Sequence, residues 1–138
     1  MAPSPDAVPL PFDTISRRLH DLTIPDVDVV VGIAEGGTVP AALLAHQLHK
    51  PLALVTLNFR APDNTPQRPA PELLSDVPDL PAGSRLLLVD EAGVSGATLA
   101  AARALFPAHP VTTLVLKGKG DVVAFPEVRT CVAWPWKR

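Results

Sequence analysis

The stretch LLLVDEAGVSGATL spans residues 86–99 and places two adjacent carboxylates between an apolar run and a turn of small residues. The run 86–89 is typical of a buried strand, and 97–105 is typical of a helix. Asp90 and Glu91 stand side by side where the strand ends. Each carboxylate there makes the other harder to ionise, unless a cation or hydroxyl donors lie between them. The pair therefore indicates a ligand at this end of the strand.

The turn that follows the carboxylates carries two hydroxyl side chains, Ser95 and Thr98. Backbone N–H groups at such a turn, together with the N-terminus of the next helix, form an anion site. Taken alone, the turn is explained equally well as an ordinary loop with Ser95 as a helix cap. Together with Asp90 and Glu91, it favours a sugar phosphate, whose phosphate the turn would hold.

The rest of the chain alternates between strand and helix patterns. Asp13 is a candidate cap for the first helix, and a glycine-containing turn at 34–37 separates the first strand from the second helix. Helices are predicted at 12–22 and 40–48, and further strands at 27–33, 52–57, 111–116 and 128–134. This alternation predicts an α/β fold, a Rossmann-like three-layer α/β/α arrangement around a mainly parallel sheet. Ligands bind at the carboxyl ends of such strands, where both turns fall.

Length and composition predict one compact domain over residues 1–138. The formal net charge of -2 argues against duplex nucleic acid as a partner, and a single cysteine excludes a disulfide framework within the chain. Without a signal peptide or a long apolar span, we expect a cytoplasmic protein that does not enter membranes. Prolines mark an N-terminal arm at 1–11 and a long connection at 58–81.

The spacing of residues excludes two other classes of enzyme, the NTPases with a Walker A loop and the hydrolases with a nucleophile elbow. A Walker A loop requires Gly-Lys-Ser/Thr, but no lysine lies between Lys50 and Lys117. A nucleophile elbow requires Gly-x-Ser-x-Gly, whereas residues 93–97 are GVSGA. Ser95 is therefore a candidate hydrogen-bond donor and not a nucleophile.

Three segments resemble the type I phosphoribosyltransferase family. The stretch 86–99 resembles its motif for binding phosphoribosyl diphosphate (PRPP), and VVVGIAEGGTVPAALLAHQL resembles its pyrophosphate loop and following helix. The ending VAWPWKR is similar to that of the small bacterial xanthine-guanine branch. The resemblance covers most of the chain and implies the type I fold with a small hood formed by the terminal segments.

The resemblance also implies a role for each candidate residue. Asp90 and Glu91 would bind the ribose hydroxyls of PRPP, directly or through Mg²⁺. The 5-phosphate would be bound by Val94, Ser95, Gly96, Ala97 and Thr98. Pyrophosphate would be bound by Ala34, Glu35, Gly36 and Gly37, a loop in which relatives often have an unusual peptide geometry. Arg68 would be a further pyrophosphate contact. The base would contact Lys117 and Val132, residues 58–81 would form a flap, and the subunits would pair as homodimers or larger homo-oligomers.

Three positions depart from the family pattern. Val94 replaces the aspartate that handles a base proton in the purine branch, Glu35 replaces a basic residue, and Cys131 replaces the aromatic ring that stacks on the base. We therefore expect a Mg²⁺-dependent phosphoribosyltransferase with a purine-like acceptor. Two alternatives stay open: a regulatory module that binds PRPP or a nucleotide with impaired catalysis, and a scaffold with no ligand.

Overall fold

The computed structural model describes residues 6–58 and 70–137. Within these ranges the helices are α1 (Phe12–Asp21), α2 (Thr38–Leu48) and α3 (Ala97–Ala104). The strands are β1 (Val8–Pro9), β2 (Val29–Ala34), β3 (Leu52–Asn58), β4 (Glu72–Leu73), β5 (Leu86–Gly93), β6 (Val111–Gly118), β7 (Val122–Val123) and β8 (Val132–Ala133). In the described part of the chain, no helix is both long and apolar enough to cross a membrane.

The central sheet has six strands in the order β4-β3-β2-β5-β6-β7. All neighbouring strands are parallel except β4, which runs antiparallel to β3 at one edge. The expected mainly parallel α/β sheet is confirmed. Because β2 and β5 are adjacent and parallel, the turns that follow them lie at the same edge of the sheet.

Alternation along β5 directs its apolar side chains into two cores, one on each face of the sheet. Leu87 and Val89 pack with residues of α1 and α2. Leu86 and Leu88 pack on the other face with residues of α3. The three layers follow from this pattern, because each helix covers an apolar face of one strongly apolar sheet.

The predicted cap at Asp13 is wrong. The helix is preceded by Pro11 in an extended conformation, and no side chain caps it. Asp13 already lies in the first turn, where its Oδ1 accepts the Thr14 N–H at 2.9 Å. A carboxylate in that turn still interacts favourably with the positive end of the helix dipole.

The predicted strand at 128–134 is wrong in extent, and what forms lies outside the central sheet. Only Val132–Ala133 forms a strand, which pairs in parallel with Val8–Pro9 of the proline-rich arm. The edge of the central sheet beside β6 is taken by β7, which the sequence pattern did not indicate. The terminal segments therefore meet in a small sheet of their own.

The prediction of one irregular connection over 58–81 is also wrong in part. Asn58 completes β3, and Glu72–Leu73 pairs with that strand. The Leu74 N–H donates to the Thr56 carbonyl at 2.8 Å, which satisfies a backbone acceptor on β3. Residues 59–69, including Arg68, lie outside the described residues.

Candidate active site

The turn at residues 34–37 connects β2 to α2 and is stabilised by two short-range backbone hydrogen bonds. The Gly37 N–H donates to the Ile33 carbonyl at 2.8 Å, and the Thr38 N–H donates to the Glu35 carbonyl at 3.0 Å. The peptide bond between Ala34 and Glu35 is cis. The Glu35 residue is exposed, so its carboxylate lies at the surface of the turn.

The same turn rests directly on β5. A Cβ atom added to Gly37 would overlap the Val89 carbonyl oxygen and lie 2.7 Å from the Ile33 carbonyl oxygen. A Cβ atom added to Gly36 would lie 2.8 Å from Cδ of Glu91. Glycine is required at Gly37 because the atoms that a side chain would meet there belong to the backbone of β2 and β5, whereas at Gly36 they belong to the Glu91 side chain. The contact places the first turn against one residue of the acid pair.

The second turn, residues 94–98, is open to solvent. Val94 and Ser95 are exposed, and Gly96 has φ +84° immediately before α3. The Ala97 N–H donates to Ser95 Oγ at 3.3 Å. Thr98 lies in the first turn of α3, where it is partly buried. Backbone N–H groups and the positive helix end at such a turn suit a phosphate.

Asp90 lies on β5 just before the second turn and is partly buried. Its Oδ1 accepts the backbone N–H of Glu91 at 2.8 Å. Burial raises the pKa of Asp90 to about 7, because removing a carboxylate from water disfavours its charged form. The side chain can therefore change charge near neutral pH.

Glu91 has a different environment from its neighbour. Its side chain is only 9% exposed, and it forms an ion pair with Lys137. The Trp136 indole N–H donates to Glu91 Oε2 at 2.9 Å. The resemblance did not indicate these two C-terminal partners, and the sequence places them 45 residues or more from Glu91. Their one local signal is the ending WPWKR, which resembles the ending of the family's small bacterial branch.

The candidate base residues lie near the C-terminal segment. The Lys117 ammonium donates to the Thr130 carbonyl, and Lys117 pairs in register with Ala92 of β5. Val132 belongs to β8 and packs, partly buried, against the core cluster of α1 and α2. Lys117 is thus held close to the segment that contains Val132.

The loop after β6 packs against the base of the second turn, which the sequence did not predict. Gly118 has φ +94°, and a Cβ atom added there would overlap the Gly93 carbonyl oxygen. The Lys119 N–H donates to that same oxygen at 2.9 Å. The repeated glycines of residues 117–120, just after a strand, were the available signal for this close backbone contact.

The family model for the phosphoribosyl transferase domain matches residues 13–134. The chain belongs to this family. The resemblance drawn from the three sequence segments is therefore confirmed, and the chain is a phosphoribosyltransferase. A comparison with curated proteins gave no match.

Solved structures of similar fold cover nearly the whole chain. A purine phosphoribosyltransferase from Pyrococcus horikoshii Ot3 is 20% identical, with 96% of this chain and 95% of that chain covered and a TM-score of 0.72. A hypothetical protein from Neisseria gonorrhoeae with bound ppGpp is 22% identical, with coverages of 96% and 90% and a TM-score of 0.73. The xanthine-guanine-hypoxanthine phosphoribosyltransferase of Helicobacter pylori is 16% identical, with coverages of 94% and 93% and a TM-score of 0.67. At these identities the likeness shows the fold.

Proposed function

We propose that this phosphoribosyltransferase uses PRPP and Mg²⁺ to transfer the phosphoribosyl group to a purine-like base, with release of pyrophosphate. One observation carries the proposal: two glycine turns lie at the carboxyl ends of adjacent parallel strands, and Asp90 lies on one of these strands, just before the second turn. Two turns suited to anions, with an acid on the strand that leads into one of them, match a substrate that carries a phosphate at one end, a diphosphate at the other and ribose hydroxyls between.

The two turns receive different parts of PRPP in this proposal. The second turn binds the 5-phosphate, through the backbone of residues 94–98 and the hydroxyls of Ser95 and Thr98. The first turn binds the pyrophosphate, through the backbone of residues 34–37. Arg68 would add a positive charge that balances Glu35, since a carboxylate beside a diphosphate is repulsive by about 1 kcal/mol or more at contact.

The donor set suits Mg²⁺ bound together with substrate. Mg²⁺ is commonly held by one or two carboxylates plus substrate phosphates, without a dedicated cage of protein ligands. Asp90 supplies such a carboxylate, whereas Glu91 already has two C-terminal partners. Among residues 6–58 and 70–137, no group of three or more metal-ligating side chains was found. Bound Mg²⁺ would neutralise charge on the departing diphosphate.

The reaction breaks the bond between C1 of the ribose and a pyrophosphate oxygen, which leaves with the electron pair. A ring nitrogen of the base supplies the electron pair of the new C–N bond, and the N–H proton of the base is released to water. Val94 has no group that could accept a proton from the base. The chain therefore acts by positioning and electrostatics, and favours an acceptor whose nitrogen lone pair is already available. Lys117 and Val132 would contact that base.

The test is titration calorimetry with PRPP, with and without Mg²⁺, followed by pyrophosphate release against a panel of purine and pyrimidine bases. We expect Mg²⁺-dependent binding and release with a purine. Asp90→Asn should abolish binding or turnover. Asp79→Asn is the matched control, because Asp79 is exposed and adjoins the groove at the opposite, amino ends of the strands. Equal activity of the two variants would refute the assignment of Asp90.

A regulatory nucleotide-binding module is the second candidate function. It is supported by Val94, Glu35 and Cys131, which depart from the pattern of the purine branch, and by the ppGpp-bound Neisseria protein of the same fold. The discriminating result is tight binding of ppGpp or PRPP with no pyrophosphate release from any base. Turnover of one base at an ordinary enzymatic rate would refute this candidate.

The proposal includes self-association as a homodimer or larger homo-oligomer. It is supported by Leu52 and Leu54, which lie on the same face of β3 and are each 41% exposed. Sedimentation analysis should show an oligomer that Leu52→Glu weakens. Val77→Glu is the matched control, because Val77 is 40% exposed on a loop. A monomeric wild-type chain would refute self-association.

A further inference from the structure

The geometry points to Trp136 and Lys137 as positioning residues that hold the Glu91 carboxylate against Gly36 and thereby set the shape of the first turn. Glu91 then supports that turn. The inference deepens the proposed function and rests on it for one of its two tests. It concerns residues of this chain that the family resemblance treated as a structural ending.

The orientation of the acid pair follows from strand alternation. Successive side chains of a strand point to opposite faces of the sheet. Leu87 and Val89 face the core of α1 and α2, so Glu91 continues that row. Asp90 continues the opposite row of Leu86 and Leu88. The two neighbouring carboxylates are therefore directed to different surroundings.

Both oxygens of Glu91 are bound from the C-terminal side. Oε2 accepts the Trp136 indole N–H at 2.9 Å, and Oε1 is paired with the Lys137 ammonium. Trp136 itself stacks on Trp134, with ring centroids 5.5 Å apart and planes 10° apart. Trp134 is buried at 7% exposure, so the donor is fixed to the core of the protein.

The other side of Glu91 supports the first turn. A Cβ atom at Gly36 would lie 2.8 Å from Cδ of Glu91 and 3.1 Å from its Cγ and its Oε1. The carboxylate therefore fills the space directly beneath the backbone of Gly36. A continuous path of contacts runs from Trp134 through Trp136 and Glu91 to Gly36.

The variants separate the hydrogen bond and the charge from general packing. Trp136→Phe keeps an aromatic ring on Trp134 but removes the indole N–H together with the five-membered part of the ring. The Lys137 variants leave both tryptophans in place, so they test the contact with Glu91 without that loss of packing. Lys137→Met removes the charge, and Lys137→Arg restores it on a side chain that can still pair with a carboxylate. Lys50→Met is the matched control, because Lys50 is exposed after α2 at the amino ends of the strands.

The first test needs no substrate. The chain has two tryptophans, so its NMR spectrum contains two indole N–H resonances, and Trp136→Phe assigns them. Glu91→Gln should shift the Trp136 resonance and leave that of Trp134 in place. Amide hydrogen exchange at Gly36 and Gly37 should accelerate in Trp136→Phe and Lys137→Met, but not in Lys137→Arg or Lys50→Met. An unmoved indole resonance, or unchanged exchange at Gly36, overturns the inference.

The second test measures binding of two probes by calorimetry. Trp136→Phe and Lys137→Met should each weaken Mg²⁺-pyrophosphate binding about ten-fold, the loss expected for one hydrogen bond to a charged group. Ribose 5-phosphate should bind as in the wild type, because it occupies the second turn. With turnover, the KM for PRPP should rise more than kcat falls. Equal weakening of both probes overturns the inference in favour of a general structural role.

The two proposals can fail separately. If the wild-type chain binds neither PRPP nor pyrophosphate, the proposed function fails, and the indole shift and the amide exchange alone decide the positioning role. If the wild-type chain turns over PRPP and every variant matches it, the proposed function stands and the positioning role fails.

Discussion

The two glycine turns lie at the same edge of the sheet, yet they need glycine for different reasons. In the first turn, side-chain atoms at Gly36 or Gly37 would collide with β5 or with Glu91, so the turn is packed from beneath. In the second turn, a Cβ atom at Gly96 would meet nothing within 4 Å, and only its φ of +84° favours glycine. The acid pair divides likewise, since Glu91 supports the first turn and Asp90 faces the other side of the sheet. One turn is thus specified by packing and the other by backbone conformation.

The largest expected effect is that of Gly37→Ala. The new Cβ would meet the backbone carbonyls of Val89 and Ile33, which belong to buried central strands and cannot move aside cheaply. We expect the free energy of unfolding to fall by about 3 kcal/mol or more, at the upper end for overpacking. Chemical denaturation measures it. Gly83→Ala is the control, with φ +75° and no heavy atom near its Cβ, and a larger loss there would contradict the comparison.

Asp90 predicts that the free energy of unfolding depends on pH, and Asp90→Asn should remove this dependence. Burial raises the folded pKa of Asp90 to about 7 from 3.8, so between these values the folded state holds a proton that the unfolded state has lost. Stability of the Mg²⁺-free protein should therefore fall as pH rises through this window, by about 1 kcal/mol per pH unit. Denaturant titrations across the window should show this slope in wild type and in Asp79→Asn. An unchanged slope in Asp90→Asn would assign it to another group.

Gly96→Ala should have a smaller effect than Gly37→Ala. The positive φ alone opposes the substitution, at a cost of about 1 kcal/mol. Gly96→Asn should cost less, because asparagine tolerates the left-handed region better than alanine does. Thermal and chemical unfolding of both variants measure the difference. If the two variants lose the same stability, the turn is restricted by contacts and the contrast with the first turn fails.

The smallest effect on stability is expected for Val94→Asp. Val94 is 49% exposed on the second turn, so the change should alter the free energy of unfolding by no more than about 0.5 kcal/mol. It would supply the acid found in the purine branch, and turnover of 6-oxopurines should rise about 100-fold, as for an added general base. Val77→Asp, on an exposed loop, is the control. No gain with any 6-oxopurine would show that Val94 does not limit the acceptor.

Local chemistry explains why the sequence predicted much of the fold. Apolar runs such as 86–89 and the small residues of the two turns act through their immediate neighbours, so β5, α3 and the edge where both turns lie were predictable. Asp13 failed as a cap because the helix begins at Phe12, so Asp13 lies inside the first turn and Pro11 occupies the position before the helix. The strand at 128–134 failed because only two of its residues are extended, and they pair with the N-terminal arm and not with the central sheet.

By itself, the sequence determined the alternation of strands and helices, the family, and the pairing of two turns with two acids, since these depend on residues close together in the chain. Only the tertiary structure decided what each acid meets. Glu91 is joined to Trp136 across 45 positions, and Gly93 lies against Gly118 through a backbone contact. Strand alternation assigns Asp90 and Glu91 to opposite faces of the sheet. The groups that contact them on each face are brought there by long-range packing, which no local sequence pattern encodes.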